Sequence, residues 1–221
     1  SDPYFQYFKH LRNEVFLSQK AKGFDPSMPV TDSFWSEWPE IYYYIENNLD
    51  LDIPLKYTDI ETIIRDIKKY SKRDSKKISD KIDSFSCTNY KDGFNELFRI
   101  VDDAYSVKGT LVSGFKVTFS DQFMPAILRA CPKIKIIITV RDPRAIHASQ
   151  VKGKELSGYT YPILYVIRKW RESVRFALSM FEDNRVLLIK FEDLVKSPER
   201  YLKQSCKFID VEYETAMGNP A

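Results

Sequence analysis

The residues best suited to binding a charged ligand follow an apolar run near the middle of the chain. Residues 134–140 are mostly β-branched, which predicts a buried parallel strand, and Arg141 follows directly. Asp142 can cap a helix that begins at Pro143, because proline loses no needed donor at that position. Arg141 is therefore predicted beside a helix N-terminus, where open α/β sheets bind anions. Ser149 lies ~10 Å along that helix at 1.5 Å per residue, so its hydroxyl and the guanidinium could share one phosphate.

The elements around this segment alternate between short apolar runs and longer helical patterns. They predict three strands, at 111–117, 134–140 and 186–191, separated by helices at 121–130 and 143–180, the latter broken around 153–162. Strand, helix, strand implies parallel pairing through right-handed crossovers, and hence an α/β three-layer sandwich with a central parallel sheet. The first half instead predicts helices, at 4–16, from Phe34 onward and within 58–82.

Length and composition indicate one domain spanning residues 1–221, since 221 residues with 43% hydrophobic content fill one sizeable core. The net charge of +3 gives no support to a nucleic-acid partner, so any anion site must be local. Three scattered cysteines and two histidines fit no metal-ligand spacing, and no metal is expected. No apolar run approaches the ~20 residues of a membrane span. A homo-oligomer is left open.

Two segments of the second half resemble the sulfotransferase superfamily, especially its carbohydrate and bacterial branches. Val-Arg-Asp-Pro-Arg-Ala-Ile-x-x-Ser at 140–149 resembles the family's 3′-phosphate-binding segment, which implies that Arg141 and Ser149 hold that phosphate. Residues 187–199 resemble the family's Tyr-Glu-Asp-Leu segment, with Phe191 replacing the tyrosine that lies near the adenine. Weaker matches at 168–173 and 113–116 extend the resemblance over about 109–208. It implies the P-loop NTPase-like sulfotransferase fold.

The resemblance also implies an activity and a donor. The donor would be 3′-phosphoadenosine 5′-phosphosulfate (PAPS), the product adenosine 3′,5′-bisphosphate (PAP), and the acceptor a hydroxyl or amine of a carbohydrate or small molecule, without a metal. Asp2 falls where many members place a carboxylate general base. His10 is the alternative base, and Lys116 is a candidate to stabilise the transferred group or position the acceptor. Aromatic residues of the first half could form an acceptor platform: Trp35, Trp38, Tyr42, Tyr43 and Tyr44.

The chain departs from the family pattern at the loop that binds the 5′-phosphosulfate. Residues 109–116 mimic a phosphate loop with one residue inserted, but their apolar middle favours a strand. The interpretation is that the chain is truncated before Ser1, and a second truncation after Ala221 is left open. Two rivals stay open: a P-loop kinase-like phosphotransferase and a non-catalytic nucleotide-binding module. A cytoplasmic location is expected, as for bacterial-type members, or the Golgi lumen if a membrane anchor precedes Ser1.

Overall fold

The computed structural model describes residues 3–20, 47–70, 75–117, 121–157 and 161–218. The chain divides into two compact units, Ser1–Ala130 and Cys131–Ala221. A compact unit need not be an independently folding domain, so one domain over residues 1–221 stays a prediction. None of the helices in the described ranges has the length and apolar character needed to cross a bilayer.

In the described part of the first unit, regular structure consists of helices and one isolated antiparallel bridge between Pro54 and Asn89. Its helices are α1 (Pro3–Lys20), α2 (Tyr57–Tyr70), α3 (Ser75–Ile82), α4 (Tyr90–Tyr105) and α5 (Met124–Ala130), with a 3₁₀ turn at Asp121–Phe123. On α1 the buried side chains recur every three or four residues, as at Tyr4, Phe8 and Leu11. The Phe8 ring stacks on the Phe123 ring with centroids 5.7 Å apart. These contacts confirm the predicted amphipathic first helix.

The strand predicted at 111–117 is wrong. Those residues have no regular secondary structure, and Leu111 is 87% exposed. A strand is held by the hydrogen-bonding groups of a neighbour, and no neighbouring strand pairs with this segment in the part of the chain that the structure describes. A short apolar run alone was therefore insufficient to predict a strand.

The second unit contains the chain's parallel strand pair. Strand β1 (Ile136–Val140) pairs with β2 (Val186–Lys190), in a register that runs from Ile136 opposite Val186 to Val140 opposite Lys190. The helices between them are α6 (Pro143–Ser157) and α7 (Ile163–Ser179), and α8 (Phe191–Lys196) and α9 (Pro198–Phe208) follow β2. The predicted break in the long helix and the parallel pairing are both confirmed. The protein therefore has a mixed α/β fold with a small parallel sheet.

The two strands are less buried than their apolar sequences predict. Ile138 and Ile189 are buried, whereas Ile137 is 40% exposed. Helix α7 packs against β1 and α9 against β2. Burial that alternates along β1 indicates that one face of this strand is covered more completely than the other.

Candidate active site

The carboxyl ends of β1 and β2 bring two of the sequence-predicted residues together. Val140 is paired with Lys190, so the next residue of each strand, Arg141 and Phe191, lies at the same edge of the sheet. The Cζ atom of Arg141 is 4.6 Å from the centroid of the Phe191 ring. At that distance the aromatic face attracts the guanidinium and restricts its orientation.

Asp142 begins helix α6 as the sequence predicts. Its Oδ1 accepts a hydrogen bond from the Arg144 backbone N–H at 2.8 Å, and its backbone carbonyl accepts one from the Ile146 N–H at 3.0 Å. The Arg144 guanidinium also contacts this carboxylate, with Nε 3.0 Å from Oδ1. The Arg144 side chain, followed by its backbone N–H, lowers the pKa of Asp142 to about 2. Arg144 is therefore neutralised within its own turn.

A second carboxylate connects the turn after β1 to the turn after β2. The Asp142 backbone N–H donates to Oε1 of Glu192 at 2.9 Å, across 50 residues of sequence. This hydrogen bond is the largest cause of the lowered pKa of Glu192. The backbone N–H of Glu192 and the charge of Arg141 also lower that pKa. No local sequence signal connects Glu192 with Asp142, so this partner was not predicted.

The Arg141 guanidinium has no hydrogen-bonding partner among the residues that the structure describes. Within the described residues its guanidinium makes no hydrogen bond or ion pair, and it is only partly buried. Its planar donors are therefore available to a bound anion.

Ser149 lies at the end of the second turn of α6 and is exposed. Its hydroxyl has no hydrogen-bond partner in the ranges that the structure covers, so it does not bond back to its own helix there. His147, two residues earlier, has a buried Nδ1 atom that also lacks a partner among those residues. Ser149 thus offers a hydroxyl that no described residue binds, on the helix that Arg141 precedes.

The proposed catalytic residues belong to the first unit, where His10 has a partner that the sequence did not reveal. Its Nε2 is 3.3 Å from Oδ2 of Asp66 on α2, and only 14% of the His10 side chain is exposed. Burial lowers the pKa of His10, although Asp66 acts in the opposite direction. The two residues are 56 positions apart, and no local sequence signal connects them.

The remaining predicted site residues are either exposed or outside the described residues. Lys116 is exposed in the irregular segment that replaces the predicted strand. Asp2 lies outside the described residues. So do the aromatic residues proposed as an acceptor platform: Trp35, Trp38, Tyr42, Tyr43 and Tyr44.

Comparison with known proteins identifies the family. A family model described as "Sulfotransferase family" matches residues 48–215, which is more than half of the chain. The chain belongs to the sulfotransferase family, which confirms the resemblance found in its motifs. A Caenorhabditis briggsae protein named "Putative protein-tyrosine sulfotransferase" is 26% identical over 106 residues, covering 46% of this chain and 38% of that protein. The chain thus aligns with about two fifths of that relative's length. No solved structure matches the present chain.

Proposed function

We propose that the protein transfers a sulfuryl group from PAPS to an acceptor hydroxyl or amine, and that Arg141 and Ser149 hold the 3′-phosphate of the donor. The observation that carries this proposal is the guanidinium of Arg141 at the carboxyl end of β1. It has no hydrogen-bond or ion-pair partner among the described residues, and its Cζ atom lies 4.6 Å from the centroid of the Phe191 ring. Family membership supports the reaction class. The parallel pair and its flanking helices support a three-layer, P-loop NTPase-like fold as part of the same proposal.

The residues at this edge of the sheet fit a nucleotide that carries a phosphate on its ribose. Arg141 presents unused donors, and the start of α6 adds the positive end of a helix dipole beside it. Phe191 is partly exposed and one of its faces is occupied by Arg141, so an adenine contact would use its edge or its other face. When bound, PAPS would supply the sulfuryl group itself.

His10 is the described residue best suited to remove the acceptor's proton. A lowered pKa keeps its imidazole neutral near pH 7, which is the form that accepts a proton. Asp66 would fix the orientation of the ring through the 3.3 Å contact with Nε2, leaving Nδ1 for the acceptor. Asp2, at the position where many family members place a carboxylate base, stays the other candidate. Lys116 stays the candidate for stabilising the transferred group or positioning the acceptor.

We propose two classes of acceptor for the sulfuryl group. A hydroxyl or amine of a carbohydrate or small molecule is one class. The name of the nematode relative supports a second, the phenolic hydroxyl of a protein tyrosine. Both have the same requirement, a base that removes the acceptor's proton as its oxygen or nitrogen attacks sulfur.

Calorimetry with PAP and with ATP tests the donor assignment. We expect micromolar binding of PAP and much weaker binding of ATP, because ATP lacks the 3′-phosphate. A preference for ATP would instead favour a kinase-like phosphotransferase. Transfer of radiolabelled sulfate from PAPS to a sugar panel and to tyrosine peptides would then identify the acceptor. Binding of PAP without any transfer would favour a non-catalytic nucleotide-binding module.

A further inference from the structure

Glu192 occupies an unusual place for a carboxylate in a candidate phosphate site. It lies in the first turn of α8, directly after Phe191, yet its Oε1 accepts the backbone N–H of Asp142 at 2.9 Å. Asp142 is the residue immediately after Arg141. The side chain from one strand end therefore fixes the backbone at the other strand end.

The direct electrostatic effect of Glu192 would oppose anion binding. A carboxylate near a phosphate repels it, so a carboxylate with no other role would lower affinity for a phosphorylated ligand. Its charge also attracts Arg141, which lowers the pKa of Glu192 after the hydrogen bonds from the Asp142 N–H and from its own backbone N–H. Any benefit of Glu192 to phosphate binding must therefore act through the position of Arg141.

The contacts show how such an effect would arise. Arg141 is restrained through its side chain by the Phe191 ring and through the following peptide group by Glu192. A hydrogen bond to a charged acceptor is shorter and stronger than one between neutral groups. With that bond in place, the guanidinium has fewer orientations to lose when a phosphate binds.

We infer that Glu192 is a positioning residue for Arg141, fixing the turn after β1 so that the guanidinium is preorganised for the 3′-phosphate. This inference rests on the proposed function. The inference predicts the direction of the change in affinity. Removing the Glu192 side chain should weaken PAP binding, although the substitution also removes a negative charge that repels phosphate.

The test measures PAP affinity by calorimetry in four forms of the 221-residue chain. Glu192→Ala should weaken binding about tenfold, the scale of losing one charge-assisted hydrogen bond. Glu192→Gln keeps an oxygen acceptor for the Asp142 N–H and should stay within about threefold of the wild-type affinity. Asp193→Asn, in the same turn and with the same change in charge as Glu192→Gln, is the matched control and should change affinity less than about twofold.

Coupling to Arg141 separates positioning from general structural support. In an Arg141→Lys background, which lacks the planar fork, Glu192→Ala should change PAP affinity less than about twofold. An equal loss in both backgrounds would overturn the inference, as would unchanged or tighter binding by Glu192→Ala. If Glu192→Ala fails to fold, Glu192→Asp replaces it, because its shorter side chain withdraws the carboxylate. A wild-type chain that does not bind PAP would overturn the proposed function and this inference together.

Discussion

Replacing Arg141 with alanine is the most direct perturbation of the candidate phosphate site. Its guanidinium has no carboxylate partner in the described structure, so its removal leaves no buried counter-charge behind. Hydrogen bonds to charged groups contribute about 1.5–3 kcal/mol each. Because Arg141 is partly exposed, we expect a loss near 2 kcal/mol, which corresponds to about 30-fold weaker PAP binding at 1.4 kcal/mol per tenfold.

The assay is calorimetry at two salt concentrations, with circular dichroism to confirm that each variant is folded. Raising the salt should weaken PAP binding to the wild-type chain more than to Arg141→Ala, since the variant lacks a screened charge interaction. Arg200→Ala is the matched control. Its guanidinium is exposed on α9, 5.7 Å from the Tyr201 ring, and should matter little. If Arg141→Ala binds PAP within about threefold of the wild-type chain, the phosphate assignment is refuted.

Three further substitutions test the other residues named in the proposal. Phe191→Leu should weaken PAP binding about fivefold in the same calorimetry, because a partly exposed cation–π contact contributes about 1 kcal/mol; an unchanged affinity would contradict the role of the ring. Ser149→Ala should cost about fivefold, the scale of one neutral hydrogen bond, and Ser179→Ala, in α7, is its control. Asp66→Asn should move the NMR titration of His10 to lower pH, since Asp66 raises its pKa against the effect of burial; a shift to higher pH would exclude the proposed dyad.

The lowered pKa of His10 also predicts how the stability of the fold changes with pH. Its pKa is lowered in the folded protein, so the folded chain binds a proton on His10 less readily than the unfolded chain. The contribution of His10 to the free energy of unfolding is fully present above its unfolded pKa of about 6.5. This contribution is lost as the pH falls through the lower pKa of the folded state. Asp66→Asn should extend that loss to lower pH.

The turn after β1 was predictable because the signals that form it are local. A β-branched run, a capping aspartate and a proline at the first helical position occur within about ten residues, and each acts on its immediate neighbours. The structure reproduces β1, the Asp142 cap and the start of α6 at Pro143. The resemblance of residues 187–199 to the family's Tyr-Glu-Asp-Leu segment was also recognisable because those residues are contiguous.

Features that depend on a distant partner were missed. Residues 111–117 have the composition of a strand, but a strand also needs a neighbour, which no local pattern specifies. The contact between His10 and Asp66 joins two helices, and the bond between Asp142 and Glu192 joins two strand ends. The types of these residues are visible in the sequence, whereas their pairing depends on tertiary packing.

The local charge arrangement explains how a nearly neutral protein could bind a doubly phosphorylated nucleotide. The net charge is only +3, so long-range attraction is weak. At the strand ends, however, Arg144 satisfies Asp142, and the Asp142 backbone N–H satisfies Glu192. Arg141 is left without a carboxylate hydrogen-bonded to it in the described structure. A guanidinium with no hydrogen-bonded carboxylate among the described residues, restrained by a ring and a fixed turn, would give selectivity through geometry. Charge substitutions on the exposed face of α9, such as Arg200→Ala, should therefore leave PAP affinity almost unchanged.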